Sequence, residues 1–566
     1  MKRFLSVLLT LALLLSLVSV SAVAEGGKEL LTLDVYDAAA NYHGEQKGWF
    51  GKVVLDKFNI KLNIIAPQVV GNEVFATRAE EGNLGDIIVC DKKDMSDLLA
   101  QGLVRDISDK LPGCENIMKF KTQIDVYNKG LTGEDGKYYG IPSEMTDTSP
   151  TTLTDDVIYS SPMLRWDLYK EIGMPDLANL DDLLEALKKI QDAHPTNADN
   201  DPAYALTLWA DWDGNDNMIG IANVVQLTTW YGEKIKQSAI LKPDNTFIKI
   251  YDREGAYYKI TKFLNKAFQM GLVDPESGEQ KWDSVMNKLQ TGRAYLMWYS
   301  WETGFWNSVD RLNDGTAFIF IPVADQLYYA DADRYYGSDR MFGVGSKVEG
   351  EKYDRIMEFL DWYASPEGLT LQHAGIEGLN YTIGEDGKFV PFHDDALMAN
   401  LPVPDAYVGE DGVVGYNDGN NAINQWIGSS ICMNPNTGER YAIKFWDAYK
   451  KITMTEMKKE WQEKFGAEDA VAYMKKNNQL LASPSVDFTP APDENDIAAL
   501  RVDANKTLCT YTWQLIFAEN DDDFESLWDA MIEKMDGFGY ETLYNYDVSV
   551  YQVEADAKAE AAKAVQ

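Results

Sequence analysis

Cysteine and histidine are scarce, with four of each in 566 residues. Cys90, Cys114, Cys432 and Cys509 form no CxxC pair and no metal-ligand spacing. Either Cys90 pairs with Cys114 or the thiols stay free and buried; four cysteines in a chain this long do not make a disulfide-dependent scaffold. His43, His194, His373 and His393 are scattered, with no HExxH and no Ser/His signature, so no catalytic residue, metal or cofactor is expected. Basic charge is also short. Ninety acidic residues against 52 basic ones leave a net charge of −38, which repels phosphate backbones and anionic membranes and argues against a nucleic-acid partner. With so many acids, paired carboxylates arise by chance and do not indicate a glycosidase. Beyond the first two dozen residues no apolar run is long enough to span a bilayer.

The chain opens with Lys2 and Arg3, an apolar run from Phe4 to about Val20, and Ala22-Val23-Ala24. That order predicts a signal peptide over 1–24 cleaved before Glu25, hence an exported protein, cell-surface or periplasmic. No cysteine near the cut offers a lipid-attachment site. Aromatics are plentiful, with 31 tyrosines and 15 tryptophans; each ring needs a partner for its polar tip or a reason to be exposed. Three tryptophans and a tyrosine crowd the single stretch MWYSWETGFW, Met297–Trp306.

LLTLDVYDAA, KLNIIAP and GDIIVC read as strands, with helices over Gly48–Asn59 and Met95–Leu103 between and after them. This alternation predicts α/β layers on a largely parallel sheet, with ligands beyond the strands' carboxyl ends, where Asn41, Tyr42 and Asp91 fall. GKYYGIPSE marks a crossing to a second lobe. LDDLLEALKKI has the apolar spacing of an amphipathic helix. RAYLMWYS is a strand, while GTAFIFIPVAD and RMFGVGS read as strands returning to the first lobe. The tail EADAKAEAAKA is low-complexity and reads as a frayed surface helix.

Five segments, taken in order, resemble the extracellular solute-binding proteins of family 1, the carbohydrate-binding components of ABC importers. They are GDIIVCDKKDMSDLLAQGLVRDISDKL, GKYYGIPSE, LRWDLYKEIGMPDLANLDDLLEAL, LQTGRAYLMWYSWETG and FLDWYASPEGLTLQHAGIEGLNYTIGEDGK, the last similar to the long oligosaccharide-binding branch. The resemblance implies a two-lobed periplasmic-binding-protein-like fold of type II, with a multi-strand hinge and closure over ligand in an interlobe cleft. Lobe 1 is expected over 28–150 plus about 318–365, lobe 2 over about 155–315 plus about 366–550, and the tail over 554–566. The implied partners are an oligosaccharide ligand, ABC permease subunits and their ATPase, with the protein itself a monomer.

A pyranose offers an apolar face to a flat ring and a rim of hydroxyls to amides, carboxylates and arginine. Period-2 alternation along RAYLMWYS puts Trp298 with Ser300, and Tyr299 with Trp301. The resemblance implies that this strand ends at the cleft, with rings beyond it stacking on sugar, so Trp301 and Tyr299 are expected to face the sugar, with Trp298 and Trp306 packing behind. Trp209, Trp212 and Trp230 around LWADWDGNDN, and Trp426 in NNAINQWIG, are further candidate platforms. Asp91, Glu144, Arg340, Glu377 and Tyr381 occupy positions that would open on the cleft. HPTNADNDPAYA spaces Asn197, Asp199 and Asp201 like a calcium loop, but Pro202 stands at the turn glycine and Leu208 at the bidentate glutamate. Two other readings are a secreted glycoside hydrolase and a binder of peptide or another solute.

Overall fold

The computed structural model describes residues 28–563 except 72, 215–218, 394–395, 398–399 and 492. The expected signal peptide, the last three tail residues and part of the DWDGNDN loop lie outside the described residues. The chain divides into two units. One comprises the chain up to Asp147 with Tyr336–Tyr449, the other Thr148–Tyr335 with Lys450 onward.

The first unit is built on a six-stranded sheet. Leu31–Asp37 lies at its centre, parallel to Ile60–Ile65 on one side and to Ile87–Asp91 on the other. Arg340–Val344 then adds antiparallel to Ile87–Asp91, so the sheet is mixed rather than purely parallel. Helices such as Gly48–Phe58 and Gly350–Tyr363 cover it and bury Trp49, Phe50, Phe359 and Tyr363. Gly48–Phe58 ends at Asn59, whose left-handed φ of 52° lets its N–H reach back to the Leu55 carbonyl.

The second unit centres on a three-stranded antiparallel sheet with Ser160–Arg165 between Leu296–Tyr299 and Phe318–Phe320. Leu180–Ala193 is the amphipathic helix expected there; Asn179 caps it by accepting from the N–H groups of Asp181 and Asp182. Three long helices, Asn495–Ile516, Asp521–Gly537 and Tyr540–Lys563, complete the unit.

Several sequence expectations are corrected. Phe318–Phe320 does not return to the first unit, because it pairs with Met163–Arg165; the return comes after Tyr335. Residues 366–449 belong to the first unit, where Leu369, Ile376, Ile423 and Ile427 join its core. The tail is not frayed up to Lys563. Glu554 and Lys558 are buried, with Lys236 Nζ 2.5 Å from Glu554 Oε2 and Lys558 Nζ donating to Ser483 Oγ at 2.9 Å. The four cysteines are free thiols, and burial raises the pKa of each. Among the described residues no helix is long and apolar enough to cross a membrane, and no three His, Cys, Asp or Glu side chains are placed to hold a metal ion. In the calcium-like loop the Asn197 amide oxygen instead accepts from the N–H groups of Asp199 and Asp201.

Candidate functional site

In the second unit the aromatic cluster grows from a fault in the sheet. Leu296 and Met297 pair regularly with Leu164 and Met163, and the register then shifts before Tyr299 meets Ser160. Ser161 and Pro162 lie opposite Trp298 across that shift, and Pro162 has no N–H to give the ladder. The freed N–H of Trp298 donates to Glu302 Oε2 at 2.9 Å, and the Tyr299 N–H to the same oxygen at 3.1 Å. Glu302 thereby locks the 3₁₀ turn Ser300–Phe305 onto the strand end. Burial pushes its carboxyl up to about 8 despite these two N–H groups.

This fault also defeats the alternation argument. All four residues of Leu296–Tyr299 are buried, so the strand has no ligand-facing side. Tyr299 is 1% exposed, which corrects its expected placement. Trp301, thrown out on the turn, is 36% exposed and stacks on Tyr299 with centroids 5.1 Å apart. Tyr159, 59% exposed, meets Tyr299 edge-on at 5.1 Å. Two open rings thus flank one buried ring.

Behind them Trp209 and Trp298 stack nearly parallel at 5.5 Å, both buried. Trp282 touches Trp209, Trp212 and Trp301, at 4.9, 5.0 and 5.1 Å respectively. Trp209 is therefore core, and Trp230 too, its indole N–H donating to Ser160 Oγ at 3.1 Å. Trp212 is half-buried at the edge of the cluster. Trp306 is half-buried, held by the Thr316 carbonyl and by Arg311 over its ring, as a packing role requires. Sequence reasoning missed Tyr159, Trp282 and Glu302; an acid three residues past an aromatic strand end was the available signal for Glu302.

In the first unit polar groups gather at the strand ends. Asp37 closes Leu31–Asp37, fully buried; its Oδ1 accepts from Ala39 N–H at 2.8 Å, while Oδ2 has no partner among the described residues. Burial pushes its carboxyl up to about 7, countered in part by backbone N–H groups and the Arg340 charge. Asp91 closes the neighbouring strand, facing Arg340 at 3.4 Å; both are more than a third exposed, so the pair is weak and Arg340 can turn to a ligand. Ser143 bridges Ser338 and Gln425 at 2.7 and 3.2 Å, and Glu144, at a left-handed φ of 55°, donates its N–H to the Trp426 carbonyl. Trp426 stands edge-on to His373 at 5.0 Å, half-buried.

Asn41 is exposed and accepts from Gln68 Nε2, and Tyr42 donates to the Glu45 carbonyl. Glu377 is exposed on a separate turn. Tyr381 is buried against Phe389 and Trp446 in a satellite core, which corrects its expected opening on the ligand. Asp37 and Gln425 were not foreseen, although an acid ending the apolar strand LTLDVYD could have been read as one more strand-end group.

A family model described as "Bacterial extracellular solute-binding protein" matches residues 42–370. A curated relative, Lipoprotein LipO of Bacillus subtilis (strain 168), is 24% identical over 247 residues, covering 42% of this chain and 46% of its own length. The chain thus spans about half the length of that relative. Among solved structures, a solute-binding protein from Bifidobacterium longum infantis ATCC 15697, titled as HMO-binding and ABC-transporter-associated, is 13% identical with a TM-score of 0.59. It matches over 93% of this chain and 98% of its own. The FusA substrate-binding protein of S. pneumoniae, solved with kestose, is 15% identical with a TM-score of 0.59, over 93% and 99%. The alginate-binding protein AlgQ2, solved without calcium ion, is 16% identical with a TM-score of 0.56, over 95% and 99%. The fold is theirs.

Proposed function

The chain belongs to the bacterial extracellular solute-binding protein family, and from that premise we propose that it captures an oligosaccharide for an ABC importer. The family is one of exported binding proteins. Trp301 carries the proposal: a tryptophan left 36% open on a turn, stacked on a buried tyrosine and backed by further indoles. An isolated exposed ring needs no explanation, but a ring braced from behind by a buried aromatic cluster is a platform. Tyr159 extends it. Asp91 and Arg340, both more than a third exposed, supply hydroxyl partners from the strand ends of the first unit, over the buried Asp37, Ser143 and Gln425. FusA, solved with kestose, and the HMO-binding Bifidobacterium protein support the same class.

Closure over the ligand, as the resemblance implies, belongs to this proposal, driven by contacts made only in the closed form. So do cleavage of the signal peptide before Glu25, a monomeric state, and delivery to permease subunits with their ATPase. The protein binds its glycan without hydrolysing it. A thermal-shift screen of the purified protein against neutral oligosaccharides, uronate oligosaccharides and peptides tests the reading. A ligand at 100 times its Kd stabilises by about 2.7 kcal/mol. A shift with oligosaccharide and none with peptide supports it; release of new reducing ends would replace it with a hydrolase.

A further inference from the structure

We propose that the first unit carries a subsite of its own for one uncharged sugar ring, in a cavity of about 220 Å³ lined by Trp49, Tyr416, Trp426, His373, Gln372 and Asn424. The subsite rests on the oligosaccharide reading above and sharpens it, since it would take a terminal residue of the chain. The volume is below the roughly 300–1,000 Å³ typical of pockets for drug-sized ligands. It suits a single ring rather than a whole oligosaccharide.

The walls are aromatic and fixed. Trp49 and Tyr416 stack at 5.6 Å and 5°, and the Trp49 indole N–H donates to the Tyr416 carbonyl at 3.0 Å. Among the described residues the lining contains no Asp, Glu, Lys or Arg. His373 is neutral, because burial pulls its pKa down to about 4. Its Nε2 lies 3.0 Å from the Gly428 carbonyl and so carries the proton, which makes Nδ1 an acceptor. Gln372 spends its amide N–H groups on the carbonyls of Tyr363 and Gly368, at 2.9 and 2.8 Å. Its buried Oε1 has no partner among the described residues. An unmet buried acceptor is costly, and Gln372 lies in the lining, so a hydroxyl admitted by a small shift of its side chain would relieve that cost. Asn424, exposed with a φ of 51°, offers an amide from the lining. Aromatic walls, neutral acceptors and amides with no formal charge fit a neutral pyranose and disfavour uronates and zwitterionic peptides.

The test uses the full chain and two variants. Leu371→Trp fills the cavity from a half-buried lining position, and Asn424→Gly removes the amide at a φ that glycine adopts freely. Calorimetry with the best neutral oligosaccharide should show affinity reduced at least about tenfold in Leu371→Trp, as for a lost well-made contact, and about threefold in Asn424→Gly. Melting temperatures without ligand should stay unchanged. Methyl α-glucoside, α-galactoside and α-mannoside should give saturation-transfer NMR signals with the wild type, for at least one of them, that Leu371→Trp abolishes. Wild-type oligosaccharide affinity in both variants would overturn the subsite and leave the oligosaccharide reading standing. If no oligosaccharide binds the wild type, that reading fails; a methyl pyranoside signal lost in the variant would still support the cavity, and no signal would overturn it.

Discussion

The aromatic cluster of the second unit and the strand-end cluster of the first offer opposite surfaces. One presents two open rings braced by a buried stack of indoles. The other presents carboxylates, an arginine, hydroxyls and amides around one buried acid. Open rings suit the apolar face of a sugar, and polar groups of the second kind suit its hydroxyls. Rings in the aromatic cluster divide sharply between holding the fold and meeting solvent, whereas the polar groups do both at once.

The division can be broken most forcefully at Trp298. Trp298→Ala empties a buried indole site, and a loss of about 3–5 kcal/mol is expected, read by chemical denaturation. Trp301→Ala should leave the denaturation midpoint nearly unchanged while weakening oligosaccharide binding by about 2 kcal/mol, roughly thirtyfold. If the two variants behave alike, the distinction between brace and platform is wrong. Next in size is Arg340→Ala, which removes the one arginine of the strand-end cluster and should weaken binding about tenfold with little change in stability, since its ion pair with Asp91 is solvated.

A pH series sharpens the comparison through the two buried acids. Glu302 is pushed up to about 8 and Asp37 up to about 7, each well above an unfolded carboxyl. Between the unfolded and folded values the native state holds protons that the unfolded chain has released. Stability from these groups is therefore greatest below the unfolded carboxyl values, at about pH 4 and under, and falls as pH rises toward 8. Glu302→Gln keeps an oxygen for the N–H groups of Trp298 and Tyr299 and should flatten the upper part of that fall, a change of a few degrees in Tm. An identical slope in the variant would mean that Glu302 does not titrate there.

The fold was legible because its evidence is local and repeated. Apolar strands, an amphipathic helix at 180–193 and the crossing at GKYYGIPSE each carry their own pattern. The second half of the chain was less so: residues 366–449 pack on the first core through scattered apolar positions with no period to betray them. Trp301 and Asp91 were readable as residues at or just past a strand's end, and Arg340 as one at a strand's start. Tyr299 was misplaced because a register shift opposite Pro162 is a property of two strands, invisible along one. Trp209 and Trp230 look like loop residues by composition and are core through partners about 70 or more positions away. Asp37 needed burial to reveal it, and its unmet oxygen exists only in three dimensions.

The most direct test is a calorimetric titration of the wild type and Trp301→Ala with the same neutral oligosaccharide. The account predicts saturable binding by the wild type, weakened about thirtyfold in a variant that melts normally. Equal affinity in the two proteins, or no oligosaccharide binding by the wild type, would contradict it.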